Sequence, residues 1–142
     1  MLPESLELEI VTPDRHLLHD SVDWVEIPGK EGYLGVLPGH AALITELGIG
    51  VLNYRKGGET RFLSVMEGYA EVLPDRVIVL AEISERAEEI DVERTRQAAE
   101  RARAEIAKTT TGDDEWQRAS LALVRALVRL EAASKTGGSI SR

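Results

Sequence analysis

The sequence predicts an antiparallel β-sandwich followed by a two-helix antiparallel hairpin. Three observations predict this plan. Short apolar runs of period two recur through the first part of the chain, with turn signals about every 8–12 residues. All five prolines (Pro3, Pro13, Pro28, Pro38, Pro74) lie in the first 74 residues, whereas the last third is rich in Ala, Arg, Glu and Leu, good helix formers. Charge divides near the same place: residues 1–90 hold 7 Lys/Arg against 17 Asp/Glu, a net of −10, and residues 91–142 hold 10 against 8, a net of +2. The boundary falls in the stretch SERAEEI. A sandwich is therefore expected over residues 1–86, a helical hairpin over 87–136 and a mobile tail over 137–142.

The elements follow in order. Leu6-Glu7-Leu8-Glu9-Ile10 alternates apolar and acidic residues, as a strand with one wet face does. Val22 to Ile27 repeats the pattern less cleanly and stops at Pro28-Gly29. Gly48–Tyr54 and Thr60–Met66 are apolar runs joined through Gly57-Gly58, which suits a hairpin turn. Gly68–Leu73 and Arg76–Glu82 flank Pro74-Asp75, another turn signal. No long helical crossover separates these strands, so no parallel pairing is expected. Asp91 is placed to N-cap a helix reaching about Lys108. After Thr109–Asp114 a second helix should reach about Ser134, with Leu123, Leu127 and Leu130, flanked by Leu121, Val124 and Val128, as its apolar face. The facing stripe of the first helix is thinner: Val92, Ala99, Ala102 and Ile106. An alanine buries little apolar surface, so this hairpin should be weakly held, a candidate for a part that changes position.

Composition excludes several classes. The chain has no cysteine, which removes disulfides, thiolate catalysis and Cys-based zinc sites. A net charge of −8 lacks the basic footprint of a nucleic-acid binder. No apolar run approaches the ~20 residues of a membrane-spanning helix, so no direct membrane insertion is expected. There is no phosphate-binding or dinucleotide-binding glycine loop, and no nucleophile–base pair, so no enzyme is expected. Asp14, His16, His19, Asp20 and Asp23 match no strong metal motif, and strand periodicity would send His16 and His19 to opposite faces. No metal is required by the sequence.

Two arginine arrays remain. Arg94, Arg101 and Lys108 repeat every seven residues, and Arg118, Arg125 and Arg129 do so at i, i+7, i+11. Side by side they would suit a phosphate, which guanidinium grips in planar, bidentate, charge-assisted bonds. Asp91 would then accept from a sugar hydroxyl or an adenine amino group. Glu93, Glu100, Glu105 and Glu131 can instead pair with these arginines as ordinary surface charges, and the arrays can also meet an acidic protein segment.

The stretch Gly29–Leu47 (GKEGYLGVLPGHAALITEL), then Met66–Val72 with Val77–Glu82, then Ile90–Arg94 with Arg101, resembles the epsilon subunit of bacterial F-type ATP synthase (delta in mitochondria). The resemblance runs in order along nearly the whole chain. It implies a non-catalytic rotor subunit at the foot of the central stalk, peripheral on the cytoplasmic face of the bacterial plasma membrane and monomeric when isolated. The sandwich would bind the gamma subunit and rest on the c-ring, with Lys30, Glu31, Gly32 and the neighbourhood of His40 facing these partners. It also implies a switch. The hairpin would either fold down, or extend along gamma and inhibit ATP hydrolysis, with Arg118, Arg125, Arg129 and Lys135 near an acidic segment of the catalytic beta subunit. Some family members bind ATP as a regulatory ligand through an Ile-Asp-x-x-Arg-Ala motif. Ile90, Asp91, Arg94 and Arg101 match it here, with Glu85 before it and Arg125 and Arg129 after it. Thr95 stands where the motif has alanine. A hairpin without ATP binding or inhibition is the nearer alternative. A stand-alone sandwich for a carbohydrate or peptide is the distant one, poorly served by 4% aromatic residues.

Overall fold

The computed structural model describes residues 2–140, the side chains of 136–140 excepted. Two compact units divide it, residues 1–86 and 87–142.

The first unit holds seven strands: β1 (Leu6–Val11), β2 (His16–Val22), β3 (Trp24–Gly29), β4 (Gly32–Val36), β5 (Leu43–Lys56), β6 (Glu59–Leu73) and β7 (Arg76–Arg86). Hydrogen bonds join them in the order β2-β1-β7-β6-β5-β3-β4. Two layers come from this one sheet because its long central strands bend. Register skips Gly48, Glu67 and Glu82, which lie in line across β5, β6 and β7. Glu67 (φ 61°) and Gly68 (φ 118°) both take left-handed backbone there. The sequence divides β6 into two strands at this point. The structure keeps one strand with a corner, since a tight turn would need the chain to reverse and Glu67-Gly68 only redirects it. Leu6, Leu8, Ile10, Val25, Ile27, Leu52, Val65, Val72, Val77 and Val79 are wholly buried between the layers, on the faces their alternation marks.

One pairing departs from expectation. β1 runs parallel to β7, Glu7 beside Arg76 through Val11 beside Leu80. The connection is the rest of the sandwich, so no dedicated helical crossover is needed.

The β1–β2 pair carries a bulge. Ile10 pairs with Leu18 but Val11 with His16, leaving Leu17 as an extra residue. Leu17 and Leu18 are both buried, which successive residues of a regular strand with one wet face are not. The guanidinium of Arg86 donates to the Leu17 carbonyl at 2.7 Å, satisfying an acceptor that the bulge takes out of the ladder. Parity flips across the bulge, so His16 and His19 share the outer face rather than opposite ones.

Asp20 on β2 accepts a 2.6 Å hydrogen bond from Lys56 at the end of β5. That bond holds the Asp20 carboxyl below its ordinary value, with burial opposing and the Ser21 amide assisting. A lowered folded-state value stabilises the fold above the unfolded carboxylate pKa of ~3.9 and loses that contribution as pH falls. Asp20→Asn should remove that contribution at neutral pH, leave stability in acid little changed, and so flatten the fall in stability below about pH 4.5, read by urea unfolding at stepped pH.

The second unit begins with a single 3₁₀ turn, Ala87–Glu89, followed by α1 (Val92–Lys108) and α2 (Asp114–Ile140). Asp91 N-caps α1, its Oδ1 accepting from the Arg94 amide at 3.1 Å. The buried positions are small: Thr95, Ala99 and Ala102 on α1, Ala119, Ala126 and Ala132 on α2. Here the expected leucine face is corrected in part. Leu123, Val128 and Leu130 are half-buried, while Leu121, Val124 and Leu127 stay 38–45% exposed, because alanines in the seam let two helices approach closely and leave the larger side chains at its margins. The helix assignment of α2 reaches Ile140, while residues 141–142 and the side chains from 136 onward, on which the mobile tail was expected, lie outside the described residues.

Candidate functional site

The hairpin brings part of the two cationic arrays together. Arg101 and Lys108 of α1 and Arg118 of α2 line one groove of about 690 Å³, together with Glu105, Glu115, Ala102 and Ala119. The heptad spacing puts the α1 cations on one stripe, and the Thr109–Asp113 connection reverses the chain so that Arg118 arrives opposite them. Arg96 and Arg103, on other faces of α1, pair with Glu93 at 3.1 Å and Glu100 at 3.0 Å. Among the described residues no ion pair engages Arg101, Lys108 or Arg118, and an anion in the groove would meet their side chains directly.

The other residues of the expected nucleotide site are placed differently. The carboxylate of Asp91 is already the helix cap. The Thr95 hydroxyl is buried and donates to the Asp91 carbonyl at 2.7 Å, so it turns inward to its own backbone. Ile90 is buried and Arg94 exposed. Arg125 and Arg129 are half-buried on α2, each engaged in an interaction of its own. Glu85 belongs to β7, where its amide donates to Ser64 Oγ at 3.2 Å. Arg118 and Lys135 are exposed on α2.

On the sandwich, Lys30 and Glu31 are the two-residue turn between β3 and β4, closed by the Gly29–Gly32 pair. Lys30 is tied to β5 twice, through its amide to the Glu46 carbonyl at 2.9 Å and through Nζ to the Glu46 carboxylate at 3.2 Å. Glu31 and Gly32 project freely to solvent. His40 is half-buried at the turn after Gly39, its Nδ1 within 2.8 Å of the Ala41 carbonyl.

An apolar row was not anticipated from the sequence. Tyr69 on β6 and Leu80 on β7 are direct cross-strand partners on the outer face, 56% and 53% exposed. Ile44 on β5, opposite Glu71 and thus diagonal to Tyr69, is 72% exposed. Three large apolar side chains from three adjacent strands are thus exposed on one outer face, interleaved with Glu46 and Glu71, and make a candidate interaction surface. The signal was present in the alternation: Ala70 and Val72 point inward, so Tyr69 must point out.

A sheet with an outward apolar row and a hairpin with an exposed cationic groove are the equipment of a subunit that works by being held between neighbours. Comparison with known proteins gives that class a family. Residues 5–87 match "ATP synthase, Delta/Epsilon chain, beta-sandwich domain", and residues 88–134 match "ATP synthase, Delta/Epsilon chain, long alpha-helix domain". The ATP synthase epsilon chain of Solibacter usitatus is 48% identical over 134 residues, 94% of this chain and 99% of that one. That of Syntrophobacter fumaroxidans is 47% identical over 135 residues, 95% and 100% of the two chains. A chain in the cryo-EM structure of the Euglena gracilis mitochondrial ATP synthase (OSCP/F1/c-ring, rotational state 1) superposes with a TM-score of 0.80 at 28% identity, covering 94% of this chain and 83% of that one. The chain belongs to the ATP synthase delta/epsilon family, and is a non-catalytic subunit of that complex. Among the described residues no helix is long and apolar enough to cross a membrane.

Proposed function

We propose that this chain is the central-stalk subunit that couples c-ring rotation to the catalytic head, its sandwich held against the gamma subunit and the c-ring on the cytoplasmic face of a bacterial membrane. The observation that carries this reading is the Ile44–Tyr69–Leu80 row, because an exposed apolar patch across three rigid strands needs a protein partner. The projecting Glu31-Gly32 tip and the His40 turn provide a second, polar surface for the c-ring. Affinity capture of the tagged chain from its own cells should bring down the catalytic-head subunits with it; recovery of the chain alone would contradict the assignment.

The hairpin regulates hydrolysis. Its groove of Arg101, Lys108 and Arg118 receives the phosphates of ATP in one state. In the other, Arg118, with Arg125, Arg129 and Lys135 along the same helix, meets an acidic segment of the beta subunit. ATP at a hundredfold excess over Kd would favour the state that binds it by about 2.7 kcal/mol, enough to move a weakly held hairpin. One observation favours the simpler reading, a hairpin with no nucleotide role: the Asp91 carboxylate already accepts from the Arg94 amide, and the Thr95 hydroxyl already donates to the Asp91 carbonyl. Titration calorimetry separates the two. The wild-type chain should bind ATP with a Kd between ~1 µM and ~1 mM, and Arg101→Ala should weaken it about tenfold, the loss of a charge-assisted contact. Absence of heat with the wild type would leave the structural reading.

A further inference from the structure

The Leu17 bulge has a chemical consequence on the outer face of the sandwich. His16 and His19 stack there, ring centroids 5.9 Å apart and planes 13° from parallel. Glu9 stands directly across the ladder from His19. Its Oε2 lies 3.0 Å from His16 Nε2, and Glu7 Oε1 lies 3.1 Å from His19 Nε2. One ligand atom from each of Glu9, His16 and His19 falls within 4.8 Å of the others. The ligand atoms of a tetrahedral zinc site stand about 3.4 Å apart, so the set would draw together by at most about 1.4 Å on binding.

We propose that Glu9, His16 and His19 form an open binding site for a divalent transition-metal ion, Zn²⁺ being the best fit, with Glu7 as an additional carboxylate beside His19. Two imidazoles and a carboxylate suit Zn²⁺ or Cu²⁺ and not Mg²⁺ or Ca²⁺, which take oxygen ligands. Three protein ligands leave a position for water. The unit carrying the site has a large acidic excess, so a cation is drawn to it. The donors lie on two hydrogen-bonded strands, so their relative positions are set before the metal arrives. Binding ties β1 to β2 across the bulge and therefore stabilises the folded sandwich by mass action.

The test is titration of the purified full chain with zinc chloride in a non-chelating buffer, read by calorimetry and by the shift in thermal unfolding. One saturable zinc per chain is expected, with a raised melting temperature and no response to magnesium chloride. His16→Gln and His19→Gln should each weaken zinc binding by about ten- to a hundredfold, while His40→Gln, which alters the remaining histidine, should bind as wild type. Glu9→Gln gives an independent check through the other strand. Matching far-UV circular dichroism shows that each variant is folded. The proposal is overturned if zinc gives no saturable heat up to millimolar concentration, or if the His16 and His19 variants bind as wild type does.

Discussion

Gly68→Ala should be among the most damaging single changes to the sandwich, costing about 3–5 kcal/mol. The φ of 118° at Gly68 lies where an L side chain is strained, and a Cβ built there runs into the Leu80 carbonyl of the neighbouring strand, with the Ala81 Cα at 3.0 Å. Neither obstacle can rotate away, since both are backbone. The loss would take a large share of the ~5–15 kcal/mol that holds a typical domain, and would lower the unfolding midpoint by roughly 15–30 °C. Gly58→Ala is the matching control: its Cβ meets nothing within 4 Å and its backbone needs no positive φ, so its melting temperature should be close to wild type. Differential scanning calorimetry of the two variants checks both statements. Equal melting temperatures would mean that the corner at Glu67-Gly68 is not what lets one sheet form two layers.

The double substitution Tyr69→Glu with Leu80→Glu should have the opposite signature, an intact fold with lost assembly. Both side chains are more than half exposed and outside the buried core cluster, so the cost to stability should be confined to the like-charge pair that the glutamates form across the strands, about 1 kcal/mol or less. At an interface the same changes replace an aromatic and an aliphatic anchor with two charges that must be desolvated. Leaving an uncompensated charge buried costs about 3–5 kcal/mol, more than a hundredfold in affinity. The catalytic-head subunits should therefore be missing when the tagged double variant is captured, although its thermal unfolding matches the parent.

The periodicities made much of this fold legible and hid particular parts of it. Leu6–Ile10 and Arg76–Glu82 read directly as strands because each buries alternate apolar residues on one face. His16–Val22 was hidden because its bulge places Leu17 and Leu18 both inside and breaks the alternation. Gly32–Val36 carries glycines at two of its five positions and so offers little pattern at all. The corner in β6 looked like a strand end, since a glycine after a charged residue signals a turn as readily as a bend. On the hairpin, hydrophobicity pointed to the leucines of α2 as the seam, but size decided it, and the alanines took the contact. The Arg101, Lys108 and Arg118 groove was foreshadowed by heptad spacing. The Asp91 cap was legible too, but the inward turn of the Thr95 hydroxyl onto the Asp91 carbonyl was not, because a threonine inside a helix looks the same in one dimension whether it bonds its own backbone or a ligand.

We propose that the outer apolar row of the sandwich docks the gamma subunit. Titrating purified gamma subunit into the full chain by calorimetry tests it most directly. Saturable one-to-one binding is expected, unchanged by Arg101→Ala and weakened by more than about a hundredfold by Tyr69→Glu with Leu80→Glu. Equal affinity for the double variant and the parent chain would contradict it.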